Sequence, residues 1–463
     1  MNFNDPKLKK ILLFSILLLA FLLRFWGGQQ VHFWDETVYL QHAEIISGLR
    51  ENNFDEFSLR PPMLPIIFAA GILLWNSTLT PIIIVGLFAS LAVLFSFFIV
   101  EKIYGFKTGI ISASLVAFLP FLVEYSRFLL SDMPALMFLL TGVFFAQKFF
   151  DEKKDFFALI SGLLFGMSFL TRFSVFSAIA AIGFCAFAIY GKTAHEFLKT
   201  KKYTLFLAGF FCVVLPYFIW AQFEFGAFWI PVVNALYAIN NFDGTPFFYL
   251  TAIISEFSII ILLGVLLFVA RILPAKREKN DLFFFAWFVV LLGIISISPH
   301  KEERYLVSTI AFPLAVMASR GLTLAFELKN NWKKIMCIIA VSGIAIFSFY
   351  PSFDYFAGST INTEYTTEEF LASQYIVELA EEGDVLYTDF NYPVFAYYTK
   401  LKVVEITKYN YSEDLFAEKF SKNGIVVLDS EHSPLMPDII ELHSENFELK
   451  KDFGRVRIYS FEK

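Results

Sequence analysis

The chain is poor in charge and almost without cysteine. Only 17% of its 463 residues are charged, whereas soluble domains carry about 25%. The three cysteines, Cys185, Cys212 and Cys337, all lie inside apolar runs. That excludes a disulfide framework and a cysteine-based metal site, and leaves them as small core residues. No small-residue cleavage site follows Leu23, and many apolar runs come after it. The N-terminal run is therefore read as a membrane span, not a cleaved signal peptide. The chain also lacks internal repeats and low-complexity tracts, and nucleic acid is not among its expected partners.

What it has is apolar and aromatic surface. It is 57% hydrophobic and 19% aromatic, with 60 phenylalanines and a mean hydropathy of +0.61. A bilayer core needs about 20 apolar residues per helix. Apolar runs predict eleven spans at 9–27, 79–101, 107–123, 132–150, 156–172, 173–191, 203–222, 249–272, 281–298, 305–326 and 333–351. The segment 61–75 is apolar but short, and opens on Pro61-Pro62.

Charge sets the orientation. Cytoplasmic loops are enriched in Lys and Arg. With the N-terminus inside and 61–75 lying at the outer interface, 20 of the 27 cations before the tail fall inside. The seven outside are Arg24, Arg50, Arg60, Arg127, Arg172, Lys301 and Arg304. Counting 61–75 as a span would invert every later loop and destroy the bias. The first outer loop then covers 28–78.

Net charge is −6, divided unevenly: residues 352–463 carry −11 and the rest +5. The tail is expected to be a separate soluble domain on the extracytoplasmic side. Thr366 to Glu369 reads as a capping box opening a helix that Gly383 ends. Strand-like runs follow at Asp384–Thr388, Gly424–Leu428 and Arg455–Phe461, so the tail reads as small α/β. The expected division is a transmembrane domain, 1–351, and a soluble domain, 352–463. Asn76-Ser77-Thr78 and Asn410-Tyr411-Ser412 match the N-glycosylation acceptor pattern, which recurs often by chance.

Four outer loops hold the residues that could do chemistry. The first carries adjacent carboxylates, Asp35-Glu36, at the start of a polar-faced helix running to about Leu49. Taken alone, these acids read better as a solvated loop. The second reads Arg127-Phe128-Leu129-Leu130-Ser131-Asp132 at the membrane edge, where charges are costly and face a cavity or each other. A structural Arg127–Asp132 pair is one alternative there. Arg172 sits in a near-absent loop, either snorkelling to headgroups or facing a phosphate. The fourth is His300-Lys301-Glu302-Glu303-Arg304, five consecutive ionisable residues between apolar helices. Cations that break the orientation bias thus gather in the loops that carry acids. A carboxylate serves as general base. Cations stabilise a departing phosphate, and the planar guanidinium suits phosphate best.

Asp35-Glu36, Arg60-Pro61-Pro62, Arg127…Ser131-Asp132-Met133-Pro134 and Leu170-Thr171-Arg172 resemble the GT-C type membrane glycosyltransferases. The nearest members are the dolichyl-phosphate-mannose–protein mannosyltransferases and the lipid A aminoarabinose transferases. His300-Lys301-Glu302-Glu303-Arg304-Tyr305 is similar to the His-Lys-Glu-x-Arg-Phe loop of mannosyltransferases that build lipid-linked glycans. The resemblance covers about 9–350 and implies a polytopic α-helical fold of the GT-C type. It implies inverting, single-displacement transfer of a sugar from a polyprenyl- or dolichyl-phosphate carrier to a protein, glycan or lipid acceptor. Carried over by motif, Asp35 is the base and Glu36 supports it or binds the acceptor. Arg127, Arg172, Lys301 and Arg304 are implied for the donor phosphate. Asp132, His300, Glu302 and Arg60 line the pocket. Some relatives use a divalent metal, for which Asp35 and Asp132 would supply oxygen ligands. The chain mixes loops from two branches, which leaves the acceptor open.

Two other classes compete. A transporter or lipid flippase would show mid-membrane charge, broken helices and two similar halves; Glu256, within the eighth span or near the outer end of its helix, is the acid to watch. A non-catalytic scaffold binding partners through the acidic tail would leave the Asp35 and His300 loops without a role.

Overall fold

The computed structural model describes residues 5–25, 32, 34–51, 60–239, 245–272, 278–326, 342–350, 364–388, 390–406, 420, 422–430, 440 and 444–462. The chain forms two compact units. One comprises Met1–Gly28, Phe57–Leu64 and Trp75–Ser359; the other comprises Gln29–Glu56, Pro65–Leu74 and Thr360–Lys463. Most of the eleven expected spans appear as apolar helices, several of them broken.

The first unit contains α1 (Pro6–Phe25), α4 (Leu79–Tyr104), α5 (Phe106–Phe118), α6 (Pro120–Tyr125), α7 (Asp132–Glu152), α8 (Asp155–Thr171) and α9 (Val175–Tyr190). The chain continues through α10 (Lys192–Leu198), α11 (Lys201–Phe225), α12 (Ile230–Ile239), α13 (Phe248–Glu256) and α14 (Ile259–Ile272). It then forms α15 (Lys279–Ile297), α16 (Tyr305–Thr309), α17 (Ala311–Phe326) and α18 (342–350). Among the described residues, α4, α7, α11 and α15 are each long and apolar enough to cross a membrane. The pair α13 and α14 makes a fifth such stretch, bent by 115°. The helix α3 (Met63–Leu74) has only 12 residues, about 18 Å at 1.5 Å per residue, and is too short to span. Residues 333–341 of the eleventh expected span lie outside the described residues.

Packing in lipid relies on small residues and interhelical hydrogen bonds, since hydrocarbon supplies no hydrophobic drive between helices. Gly162 on α8 and Gly209 on α11 let these backbones touch. A Cβ at Gly162 would strike the Phe206 carbonyl, and one at Gly209 the Leu159 carbonyl. Ser168 donates to Ala135 O (2.7 Å) and Ser161 to Gly142 O (2.9 Å), fastening α8 to α7. Ser96 pairs with Ser112 at 2.9 Å, and Thr108 with Thr323 at 3.1 Å.

The third expected span is broken between α5 and α6. Leu119 is extended (φ −64°, ψ 121°) and Pro120, which has no N–H, opens α6. The break frees carbonyls at the end of α5. Arg24 fills that need: Nη1 donates to Ala117 O (2.9 Å) and Ala20 O (2.9 Å), and Nη2 to Val116 O (3.1 Å). Arg24 is 1% exposed. Counted by the orientation rule as an outer cation, it is a buried cap on another helix.

The second unit holds α2 (Trp34–Ile46) and the tail: α19 (Glu364–Leu379), β1 (Val385–Thr388), α20 (Tyr392–Thr399), β2 (Lys402–Glu405), β3 (Gly424–Asp429), β4 (Phe447–Asp452) and β5 (Val456–Phe461). The sheet runs β2-β1-β3-β5-β4. Its first three strands are parallel, and β5 is antiparallel to β3 and β4. Strands β1 and β3 are buried throughout, as strands covered on both faces must be. Tyr387, Val426 and Phe461 pack on one face; Leu386, Ile425, Ile458 and Ala372 of α19 pack on the other. The helix begins at Glu364 and ends at Leu379, so Thr366 and Glu369, expected to open it, lie inside it. Asn410 lies outside the described residues.

Replacing Arg24 with Met should leave the freed carbonyls unsatisfied, at about 1–3 kcal/mol. Thermal unfolding in detergent should show a clear drop for Arg24→Met; an unchanged melting temperature would mean those carbonyls find other partners.

Candidate active site

In the first unit, three turns converge. Helix α8 ends at Thr171, and Arg172 follows in extended conformation (φ −156°, ψ 113°). Its Nη1 donates to Asp132 Oδ2 (3.1 Å) and Ser131 Oγ (3.2 Å), and its Nε to Ser174 Oγ (3.2 Å). The guanidinium carbon lies 4.9 Å from the centre of the Tyr305 ring. Asp132 is the first residue of α7, after Ser131 at the cap, and is fully buried. The positive end of a helix dipole favours a carboxylate there. The chain passes the 126–131 turn with Arg127 only 3% exposed.

The third turn, 298–304, is tied internally. Glu302 accepts from both neighbours: His300 Nε2 lies 2.7 Å from Oε1, and Arg304 Nε donates to Oε2. Lys301 Nζ donates to Ser296 O (2.8 Å) and Ser298 O (2.6 Å), neutralising the negative end of α15. The His300 ring lies 5.7 Å from that of Tyr305. Tyr305 therefore touches both Arg172 and His300. Tyr305 closes the His300–Tyr305 motif without an expected role of its own; an aromatic beside a run of charges was the available signal.

Three acids also approach one another: Glu124 at the end of α6, Glu256 as the last residue of α13, and Glu303. Burial, then the charges of Glu256 and Glu303, push the Glu124 carboxyl above its ordinary range. Burial, then Glu256, pushes Glu303 up as well. Glu256, expected within the eighth span or near the end of its helix, is the last residue of α13, where α13 breaks from α14.

In the second unit, Asp35 and Glu36 lie in the first turn of α2. Asp35 is 8% exposed and Glu36 fully buried. Every residue from Asp35 to Ala43 is buried. The helix has no solvated polar face, and the expected alternative of solvated acids fails. His32 Nδ1 is 3.6 Å from Glu36 Oε1. The Trp34 ring packs edge-on against Tyr392 (4.9 Å), and Val38 against Ala396. Arg60 stands just before α3, partly buried.

Among the described residues, no three His, Cys, Asp or Glu side chains are grouped to hold a metal ion. Asp35 and Asp132, the expected ligands, belong to different units.

These features define a multi-pass helical membrane protein with a small extramembrane sheet domain, of the GT-C type fold. Residues 59–220 match the family model of dolichyl-phosphate-mannose-protein mannosyltransferases. No curated protein matches the chain. ArnT from Cupriavidus metallidurans, solved with undecaprenyl phosphate, superposes with a TM-score of 0.72 at 13% identity, over 98% of each chain. The oligosaccharyltransferase of Archaeoglobus fulgidus superposes with a TM-score of 0.64 at 13% identity, over 93% of this chain and 70% of that one. A complex of the same archaeal enzyme, AglB, with an inhibitory peptide and dolichol-phosphate gives 0.62 at 14% identity, over 91% and 69%. At such identities the likeness establishes the fold.

Two outcomes follow from the geometry. Asp132→Ala should strand the Arg172 charge and cost about 3 kcal/mol, much of it recovered in the Arg172→Met double variant; thermal unfolding of the set measures this. Glu124 and Glu303 titrate above their unfolded values. The stability they contribute is present below the ordinary carboxylate range and lost as pH rises through the raised values. Glu124→Gln should therefore gain in melting temperature relative to the native chain as pH rises; a pH-independent difference would refute the raised carboxyl.

Proposed function

We propose that the protein transfers a sugar from a polyprenyl- or dolichyl-phosphate carrier to a protein, glycan or lipid acceptor, in one inverting displacement. The observation that supports this best is Arg172. Its Nη1 and Nε are held by Ser131, Asp132 and Ser174 and its plane by Tyr305, while Nη2 makes no hydrogen bond among the described residues. A guanidinium held this way is pre-organised to donate to a phosphate oxygen without losing further side-chain freedom. Asp132, itself favoured by the positive end of α7, fixes the guanidinium without binding the phosphate.

The chemistry assigns Asp35 as base. Its carboxylate takes the proton of the acceptor hydroxyl as that oxygen attacks the anomeric carbon. The bond from that carbon to the phosphate oxygen breaks, and the lipid phosphate leaves with the electron pair. Glu36 supports Asp35. Arg172 stabilises the departing charge, with Arg127 as a second cation of the same unit. Lys301 and Arg304 are engaged by carbonyls and by Glu302, so they contribute field and shape. His300, Glu302 and Arg60 line the pocket. A divalent metal, with Asp35 or Asp132 among its ligands, remains part of this reading only if binding is measured. The N-terminus is cytoplasmic and the sheet domain extracytoplasmic in this proposal, as the cation bias requires.

One observation favours a second reading. The 115° bend between α13 and α14, with Glu256 at its corner, is the kind of broken span on which transporters build their sites.

The deciding assay uses purified protein in nanodiscs with radiolabelled polyprenyl-phosphate mannose or glucose and a membrane extract as acceptor source. Asp35→Asn should reduce transfer and donor hydrolysis by about 100-fold or more at unchanged melting temperature. Activity surviving in Asp35→Asn would discard the base. No turnover and no donor binding by the native chain would favour transport, with Glu256 next to be changed.

A further inference from the structure

Helix α2, which carries Asp35, is held along its length by one helix of the tail. At its start, the His32 N–H donates to the Tyr398 hydroxyl (2.7 Å). At its middle, Gln41 Nε2 donates to Pro393 O (2.9 Å). Near its end, Lys400 Nζ donates to both oxygens of Glu44 (2.8 and 2.7 Å), and beyond it Arg50 Nη2 donates to Ala396 O (2.8 Å). All the partners lie on or beside α20.

Such anchoring matters because of what α2 lacks. It is buried all round and carries Asp35, Glu36, Thr37, Gln41 and His42 inside. Apolar burial is non-directional, so the Trp34, Val38 and Ile45 contacts with this helix's neighbours hold its rotation less sharply than hydrogen bonds do. A slip of one residue turns the helix about 100° and moves it 1.5 Å. Displacements of about 1 Å at a reacting group cost on the order of 100-fold in rate. Directional hydrogen bonds remove that freedom. Helix α20 is itself fixed. Phe395 sits in the sheet core, and Asn391, at φ +44°, donates to Glu369 Oε1 (3.0 Å), which also accepts from Arg455 (2.7 Å).

We propose that the C-terminal domain is a splint for the catalytic helix. Through Tyr398 and Gln41, α20 sets the rotation and axial register of α2 and hence the place of the Asp35 carboxylate. Both are positioning residues. The inference rests on the reading of Asp35 as base.

The test uses the full chain in nanodiscs and the variants Tyr398→Phe and Gln41→Leu. Hydrolysis of polyprenyl-phosphate mannose or glucose by water gives kcat and KM. Hydrogen exchange over residues 34–46 reports the helix without needing turnover. Each variant should lower kcat about 10-fold with KM within about 2-fold, and should speed exchange over 34–46 at a near-native melting temperature. Unchanged kcat and exchange would overturn the splint. A change confined to KM would overturn it too, by making the domain a binding surface. If Asp35→Asn retains the native rate, the base assignment fails. The splint is then judged on exchange and kcat in the two variants, which still separate it from an inert contact. Should either variant misfold, Glu44→Gln, which unpairs the half-exposed Lys400, is read in the same way.

Discussion

A bilayer has no water to satisfy a broken backbone, and the first unit is organised around that constraint. Its third apolar stretch is interrupted at Leu119-Pro120. The interruption is tolerable because a guanidinium from another helix reaches the freed carbonyls. Arg24 thus allows α5 to stop and α6 to start in a new direction. Helix α6 leads to the 126–131 turn and so to Asp132. The same economy appears at 298–304, where Lys301 takes the last carbonyls of α15. In both places a cation that the charge pattern offers for chemistry satisfies backbone carbonyls.

Against that background Arg172 differs. Its partners are side chains, Ser131, Asp132 and Ser174, with the Tyr305 ring beneath. A buried pair of this sort is weak evidence for stability, because desolvation offsets the attraction. It is better evidence for a charge held ready. The same logic explains why Tyr305 belongs with the site: it is the one ring lying against both Arg172 and His300 among the described contacts.

The second unit solves a different problem. Its parallel strands bury both faces, and helix α19 covers one of them. Helix α20 connects β1 to β2 and also lies along α2, which is 352 residues away in sequence at the Gln41–Pro393 contact. The tail is therefore part of the setting of Asp35 and Glu36. Composition had marked it off as a separate acidic domain.

Hydropathy by itself determined the membrane class and the place of most helices, because the bilayer imposes a length and a polarity on every span. Alternation and turn residues located β1, β3 and β5 to within a residue, since half of each strand's neighbours are set by its own pattern. Motif spacing singled out Asp35, Asp132, Arg172 and the His300 loop. Other features needed the fold. No local pattern shows that Arg24 caps α5, that Asp132 takes Arg172, or that Tyr305 joins two clusters. Short β2 and β4, α20 and the break at Glu256 likewise carried little signal of their own. Each depends on partners tens to hundreds of residues away. A side chain's role in a low-dielectric interior is decided by whichever polar group lies within about 3 Å, and only the tertiary structure brings those groups together.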